Sequence, residues 1–135
     1  MSESAVAIVL ESDPAKVADL FPQLLELCRT AGLDESAAFQ LAAAVIEAVN
    51  NSIHHGYRDT PGHPIDIRWS CTADAVEIEI RDRGQPLPAG LLERNDMPQP
   101  DAESGRGWPI ILEWTDAARY ERIGNENVLN LRRRR

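Results

Sequence analysis

At 135 residues, 43% hydrophobic and 27% charged, the chain has the length and composition of a single globular domain. Its net charge of -8 excludes the body of the domain as a binder of nucleic acid, because phosphate backbones demand clustered cations. No run of 18 apolar residues is present, which argues against a membrane-spanning helix.

Met1 to Leu10 has neither a positive start nor a long apolar stretch, so it does not read as a secretory signal. Ala5 to Leu10 is a short apolar run with Val and Ile, a strand. Asp13-Pro14 reads as a helix cap followed by a proline at the first helical position. A helix from about Pro14 to Thr30 follows, with Val17, Leu20, Phe21, Leu24, Leu25 and Cys28 on one stripe and Gly32 placed to end it. Cys28 and Cys71 make neither a paired redox motif nor a metal spacing, and read as reduced thiols of a cytoplasmic protein.

A second helix is expected from Asp34 to about His55, stopped by Gly56. Arg58 to Pro64 is a loop. Ile65 to Trp69 and Val76 to Ile80 alternate apolar and polar residues around Thr72-Ala73-Asp74, which predicts an antiparallel hairpin. Asp82 to Glu103 is rich in Pro, Gly, Asp and Asn, and its part from about 86 to 104 reads as a flexible lid. A third helix fits Gly107 to Asp116, with Pro109 in its first turn. Ala117 to Arg122 and Asn127 to Arg132 make a last strand pair around Gly124-Asn125, and Arg132 to Arg135 form a basic tail read as a frayed, solubilising end. Hairpin-joined strands with grouped helices predict an α+β two-layer sandwich.

The second helix has an unusual polar face. Leu41, Ala42, Val45, Ile46, Ala48, Val49, Ser52 and Ile53 share one arc; Gln40, Glu47, Asn50, Asn51 and His54 share the other, with His55 at its edge. Between Asp34 and Gly56 there is no Lys or Arg, whereas a solvated face ordinarily mixes both charge signs. Glu47, Asn51 and His55 are spaced i, i+4 and i+8, so they stack along one side. A carboxylate and an amide oxygen there suit Mg²⁺, which takes a few protein oxygens and leaves the rest to phosphates and water. A plain polar stripe fits the spacing equally well. A zinc site built from His54, His55 and His63 fits worse, because adjacent helical histidines diverge.

Two glycine clusters follow: Asp82-Arg83-Gly84-Gln85-Pro86 after a strand, and Ser104-Gly105-Arg106-Gly107 before a helix. Glycines at a helix start let backbone N–H groups approach a phosphate, and Arg106 adds a cation. Either cluster alone is more often an ordinary turn, and neither is a Walker A loop or a dinucleotide fingerprint.

In combination, Glu47-x-x-x-Asn51-x-x-x-His55-Gly56-Tyr57, Asp82-x-Gly84 and Gly105-x-Gly107, in that order, resemble the GHKL superfamily of Bergerat-fold ATPases. The run Glu-Ala-Val-Asn-Asn-Ser-Ile-His-His-Gly-Tyr is most similar to its anti-sigma-factor serine/threonine kinases, and the likeness covers nearly the whole chain as one domain. The resemblance implies a mixed, mostly antiparallel sheet with helices on one face, and ATP and Mg²⁺ as cofactors. It implies Asn51 as the metal ligand, Glu47 as the residue assisting proton transfer, and His55 as the close of the helix motif. It implies Asp82 on the adenine amino group, Gly84 against the base, and Gly105, Arg106 and Gly107 on the phosphates.

The chain departs from the family's pattern in three ways. Pro86 stands where a second glycine often follows, Asn127-Val128 occupies the region where a threonine is often found, and the lid is short and lacks lysine. The function implied is an ATP-dependent kinase that acts as an anti-sigma factor and phosphorylates a STAS-type antagonist, with a sigma factor and a second copy of the chain as further partners. The competing expectation is a non-catalytic ATP-binding module that switches partners for another output.

Overall fold

The computed structural model describes residues 4–87 and 107–135. Strand β1 (Ser4–Glu11) leads to helices α1 (Pro14–Thr30) and α2 (Glu35–Asn51), then strands β2 (Pro64–Cys71) and β3 (Ala75–Asp82), helix α3 (Gly107–Trp114), and strands β4 (Ala117–Ile123) and β5 (Glu126–Arg134). Helix starts follow local chemistry. The Asp13 carboxylate accepts from Ala15 N–H at 3.0 Å and that of Asp34 from Ala37 N–H at 2.7 Å, each satisfying an amide with no partner inside its helix. Helix α1 ends where Gly32, at φ 89°, turns left-handed. Gly32 N then bonds Arg29 O and Leu33 N bonds Cys28 O, closing the last turn.

The five strands form one sheet in the order β1-β2-β3-β5-β4, and all four pairings are antiparallel, where the expectation allowed a mixed sheet. Each spatial neighbour is reached either by a tight hairpin or by a connection that brings the chain back in the reverse direction. Alternation assigns the faces. Ile65, Ile67 and Trp69 of β2, Val76, Ile78 and Ile80 of β3, and Leu129 and Leu131 of β5 are buried against Val17, Leu20, Leu24, Leu41, Val45, Val49 and Ile111 of the helices. Ring contacts Phe21–Phe39 and Phe39–Trp114 join the three helices in one layer. This is the two-layer α+β arrangement expected. No helix among the described residues is long and apolar enough to cross a membrane.

Two expectations need correction. The second helix does not run regularly to His55: after Asn51 it widens into a π turn over Ser52–Gly56, closed by Tyr57 N to Ser52 O at 2.9 Å. The helical spacing that places Asn51 one turn beyond Glu47 therefore does not carry on to His55. The arginine tail is not frayed. Arg132, Arg133 and Arg134 continue β5 opposite Glu77, Val76 and Ala75. Arg133 also donates to Trp114 O, and Arg135 donates to Ala31 O and Thr72 O. Charge alone suggested a solvated end, but guanidinium donors can close orphan carbonyls at element ends. The lid expected over about 86–104, and Gly105 and Arg106, lie outside the described residues save Pro86 and Leu87.

Candidate functional site

On the helix-facing side of the sheet, one register row runs Leu10, Ile65, Asp82, Asn127, Arg122 from β1 to β4. Its first two members are apolar and its last three polar, so the core gives way to hydrogen-bonding groups at this end of the sheet. Asp82 is 6% exposed and Asn127 3% exposed. Burying such groups costs free energy unless they are paired. Asp82 Oδ1 accepts from Gly84 N–H at 2.8 Å and from Asn127 Nδ2 at 2.8 Å.

The C-terminal end of the α2 segment closes over this carboxylate. A Cβ built on Gly56 would lie 3.1 Å from Asp82 Oδ1, so a side chain there would press on the carboxylate. Gly84 is tighter still. A Cβ there would lie 2.2 Å from the Gly56 carbonyl carbon, a backbone atom that cannot swing away. Gln85 N–H donates to Gly56 O at 2.7 Å and locks the crossing. The resemblance sets Gly84 against a base; its close approach in the structure is to Gly56.

Tyr57 anchors the crossing from behind. Its hydroxyl donates to Pro64 O at 2.6 Å and accepts from Arg83 N–H at 2.8 Å. Burial raises its pKa above the ordinary 10.0, against the smaller opposing effect of the Arg83 amide, so the phenol keeps its proton. His63 stacks on the Tyr57 ring at 4.8 Å, and Arg58 and Asp59 both take left-handed backbone angles, φ 50° and 61°, as the chain leaves the π turn. His54 pairs with Asp59. Of the histidines weighed as zinc ligands, His54 and His63 thus serve separate contacts, and among the described residues no group of three or more His, Cys, Asp or Glu comes together.

On α2, Asn51 is 8% exposed and its Nδ2 is buried with no hydrogen-bond partner among the described residues. An unpaired buried amide costs about 1–3 kcal/mol and is rare in native folds, so its presence calls for an explanation. Glu47, one turn earlier, is half-buried, as is His55. Gly107 begins α3, whose Trp114 reaches α2 through Phe39.

The structure thus brings Asp82, Gly84 and Gly56 into one locked unit, holds Asn51 and Glu47 together on α2, and leaves Gly105 and Arg106 undescribed. Asn127, Tyr120 and Arg122 surround Asp82 and the Gly84 turn although the motifs assign none of them a part, and Gly56, quoted in the helix motif without a role, packs there too. Asn127 was legible only as a departure. The signal for it lay in the sheet register, since β5 pairing on β3 sets it opposite Asp82.

Comparison with known proteins places the chain in a family. Residues 10–133 match the family described as "Histidine kinase-like ATPase domain". The "Anti-sigma F factor" of Oceanobacillus iheyensis is 36% identical over 81 residues, covering 58% of this chain and 56% of that protein. The "Serine-protein kinase RsbW" of the same organism is 30% identical over 67 residues, covering 50% of this chain and 42% of that protein. The matched stretches thus span about half the length of these relatives. The crystal structure of the RsbU and RsbW domains of Rv1364c from Mycobacterium tuberculosis shares the fold, with a TM-score of 0.71 at 21% identity, covering 97% of this chain and 32% of that one. A family match over nearly the whole sequence makes this chain a member of the histidine kinase-like ATPase domain family.

Proposed function

We propose that this domain is an ATP-dependent serine/threonine protein kinase that acts as an anti-sigma factor in the cytoplasm, transferring phosphate to a STAS-type antagonist and releasing or holding a sigma factor accordingly. The observation that carries the reading is the Asn51 carboxamide, whose buried Nδ2 has no hydrogen-bond partner among the described residues. It fits a metal site, because the amide can turn its oxygen to the space its nitrogen now occupies. Mg²⁺ is commonly held by one or two protein oxygens together with substrate phosphates. Asn51 would hold Mg²⁺, Asp82 would accept a hydrogen bond from the adenine amino group, and Gly107 would bring the start of α3 to the phosphates.

Bound Mg-ATP supplies the phosphoryl group. The chain's part is positioning, with one proton to manage. Glu47 is placed on the same side of α2 as Asn51 and takes the proton of the attacking serine hydroxyl at its carboxylate oxygen. The relatives' printed names, an anti-sigma factor and a serine-protein kinase, support both halves of the proposal.

The test separates a kinase from a binder that uses ATP only as a conformational ligand. General-base assistance contributes about 10²–10⁴-fold in rate. Glu47→Gln should keep ATP and partner binding while transfer of labelled γ-phosphate to the antagonist falls by about that factor. Asn51→Ala should lose both binding and transfer. A wild-type protein that binds ATP and its partner yet transfers nothing would sink the kinase reading in favour of the binding module.

A further inference from the structure

Asp82 alone does not decide how the site reads a base; the side chain that holds it does. Both amide protons of Asn127 are committed, one to Asp82 Oδ1 at 2.8 Å and one to Gln85 O at 2.7 Å. Its Oδ1 accepts from the Tyr120 hydroxyl at 2.5 Å and from Arg122 Nη1 at 3.1 Å. The amide orientation is therefore determined: a flip would set its carbonyl against a carboxylate and a carbonyl, and its NH₂ against a guanidinium. Tyr120 is itself held, because its oxygen accepts from Leu87 N–H at 3.0 Å. Arg122 Nη1 also donates to Gly84 O at 2.7 Å. Side chains of β4 and β5 thus grip Gly84, Gln85 and Leu87 by their backbone polar groups and fix one oxygen of Asp82 with a donor that cannot rotate.

We propose that Asn127, fixed by Tyr120 and Arg122, is the positioning residue that sets nucleobase specificity at this site, selecting a purine with an amino group at position 6 against one with an oxo group. The inference rests on the nucleotide reading above and adds this chain's own solution at the place where the family often has threonine. Asp82 Oδ1 is saturated by Gly84 N–H and Asn127 Nδ2, and Oδ2 takes no hydrogen bond among the described residues. An ionised carboxylate only accepts, so the free oxygen favours a ligand donor and repels a ligand carbonyl. That selection is sharp only while the carboxylate cannot swing, and Asn127 removes that freedom. Without it the carboxylate can turn away from a 6-oxo group, and the penalty against such a base fades.

The experiment is titration calorimetry of the whole chain with ATP and with inosine triphosphate in magnesium buffer. A hydrogen bond to a charged group contributes a factor of about 10–100 in affinity, so wild type should prefer ATP by a ratio of that order. Asn127→Leu, of the same branched shape and without a donor, should bring the ratio to within about threefold of one, mainly through stronger binding of inosine triphosphate. Asn127→Thr keeps one donor for Asp82 and should recover most of the preference. Tyr120→Phe removes the hydroxyl that holds the amide, and should lower the ratio even if Asn127→Leu fails to fold. An unchanged ratio in Asn127→Leu, or an equal loss for both nucleotides, would overturn the role given to Asn127 and reduce it to a structural one. A wild type that binds both nucleotides equally would also overturn it, whereas one that binds neither would instead remove the nucleotide reading itself.

Discussion

Asn51 and Gly84 stand in opposite relations to stability. Asn51 carries a buried nitrogen with no hydrogen-bond partner among the described residues, a cost to the folded protein. Asn51→Leu should therefore unfold no earlier than wild type, and gain up to about 1 kcal/mol in urea denaturation, while nucleotide no longer shifts its melting. A variant clearly less stable than wild type would show that the carboxamide has a structural partner. Gly84 is the opposite case. A Cβ 2.2 Å from the Gly56 carbonyl carbon forces two backbone segments apart. Gly84→Ala should cost about 1–3 kcal/mol and lower the melting temperature by several degrees, with the Asp82 site opened at the same time. The glycine was legible as a turn former. Its closest neighbour was not, because no spacing in the sequence says that residues 56 and 84 cross.

Among the elements, β5 departs furthest from expectation. Four consecutive arginines suggested a solvated end, yet three of them form ladder pairs with β3 and the fourth caps carbonyls of two loops. Ending the chain after Leu131 removes those pairings and the Arg133 bond to Trp114 O. The expected loss is on the order of 2–4 kcal/mol, from several hydrogen bonds each contributing about 0.5–1.5 kcal/mol. Chemical denaturation of the truncated chain checks it, and stability equal to wild type would mean the tail adds nothing to the sheet. The helices and hairpins themselves were legible, because their caps, glycines and apolar periods act within a few residues. The π turn after Asn51 was not, since nothing in the run Ser52 to Gly56 distinguishes it locally from a continued α-helix.

At the scale of the whole molecule, the core sets an alkaline limit. Burial, with a smaller contribution from Cys71 and against Arg133, pushes the Cys28 thiol up from 9.0 to about 12, and burial raises the Tyr57 phenol as well. Both groups lose a proton to become anions, and both keep it longer folded than unfolded. Their contribution is complete below about pH 9 and is lost as pH rises towards about 12, where the unfolded chain releases protons the folded chain retains. Unfolding free energy should therefore fall steadily between about pH 9 and pH 11, and Cys28→Ala, less stable throughout, should show a shallower fall. Equal slopes would refute the assignment to Cys28. By itself the sequence determined the element order, the face each element buries, and the resemblance carried by Glu47, Asn51, Asp82 and Gly84, because periodicity, capping and motif spacing are local properties. Only the tertiary structure decided that the sheet is wholly antiparallel, that Gly56 closes over Asp82, and that Asn127 stands beside it. Those contacts join residues 26 to 45 positions apart, and their geometry depends on strand register and on backbone approach, which no local pattern encodes.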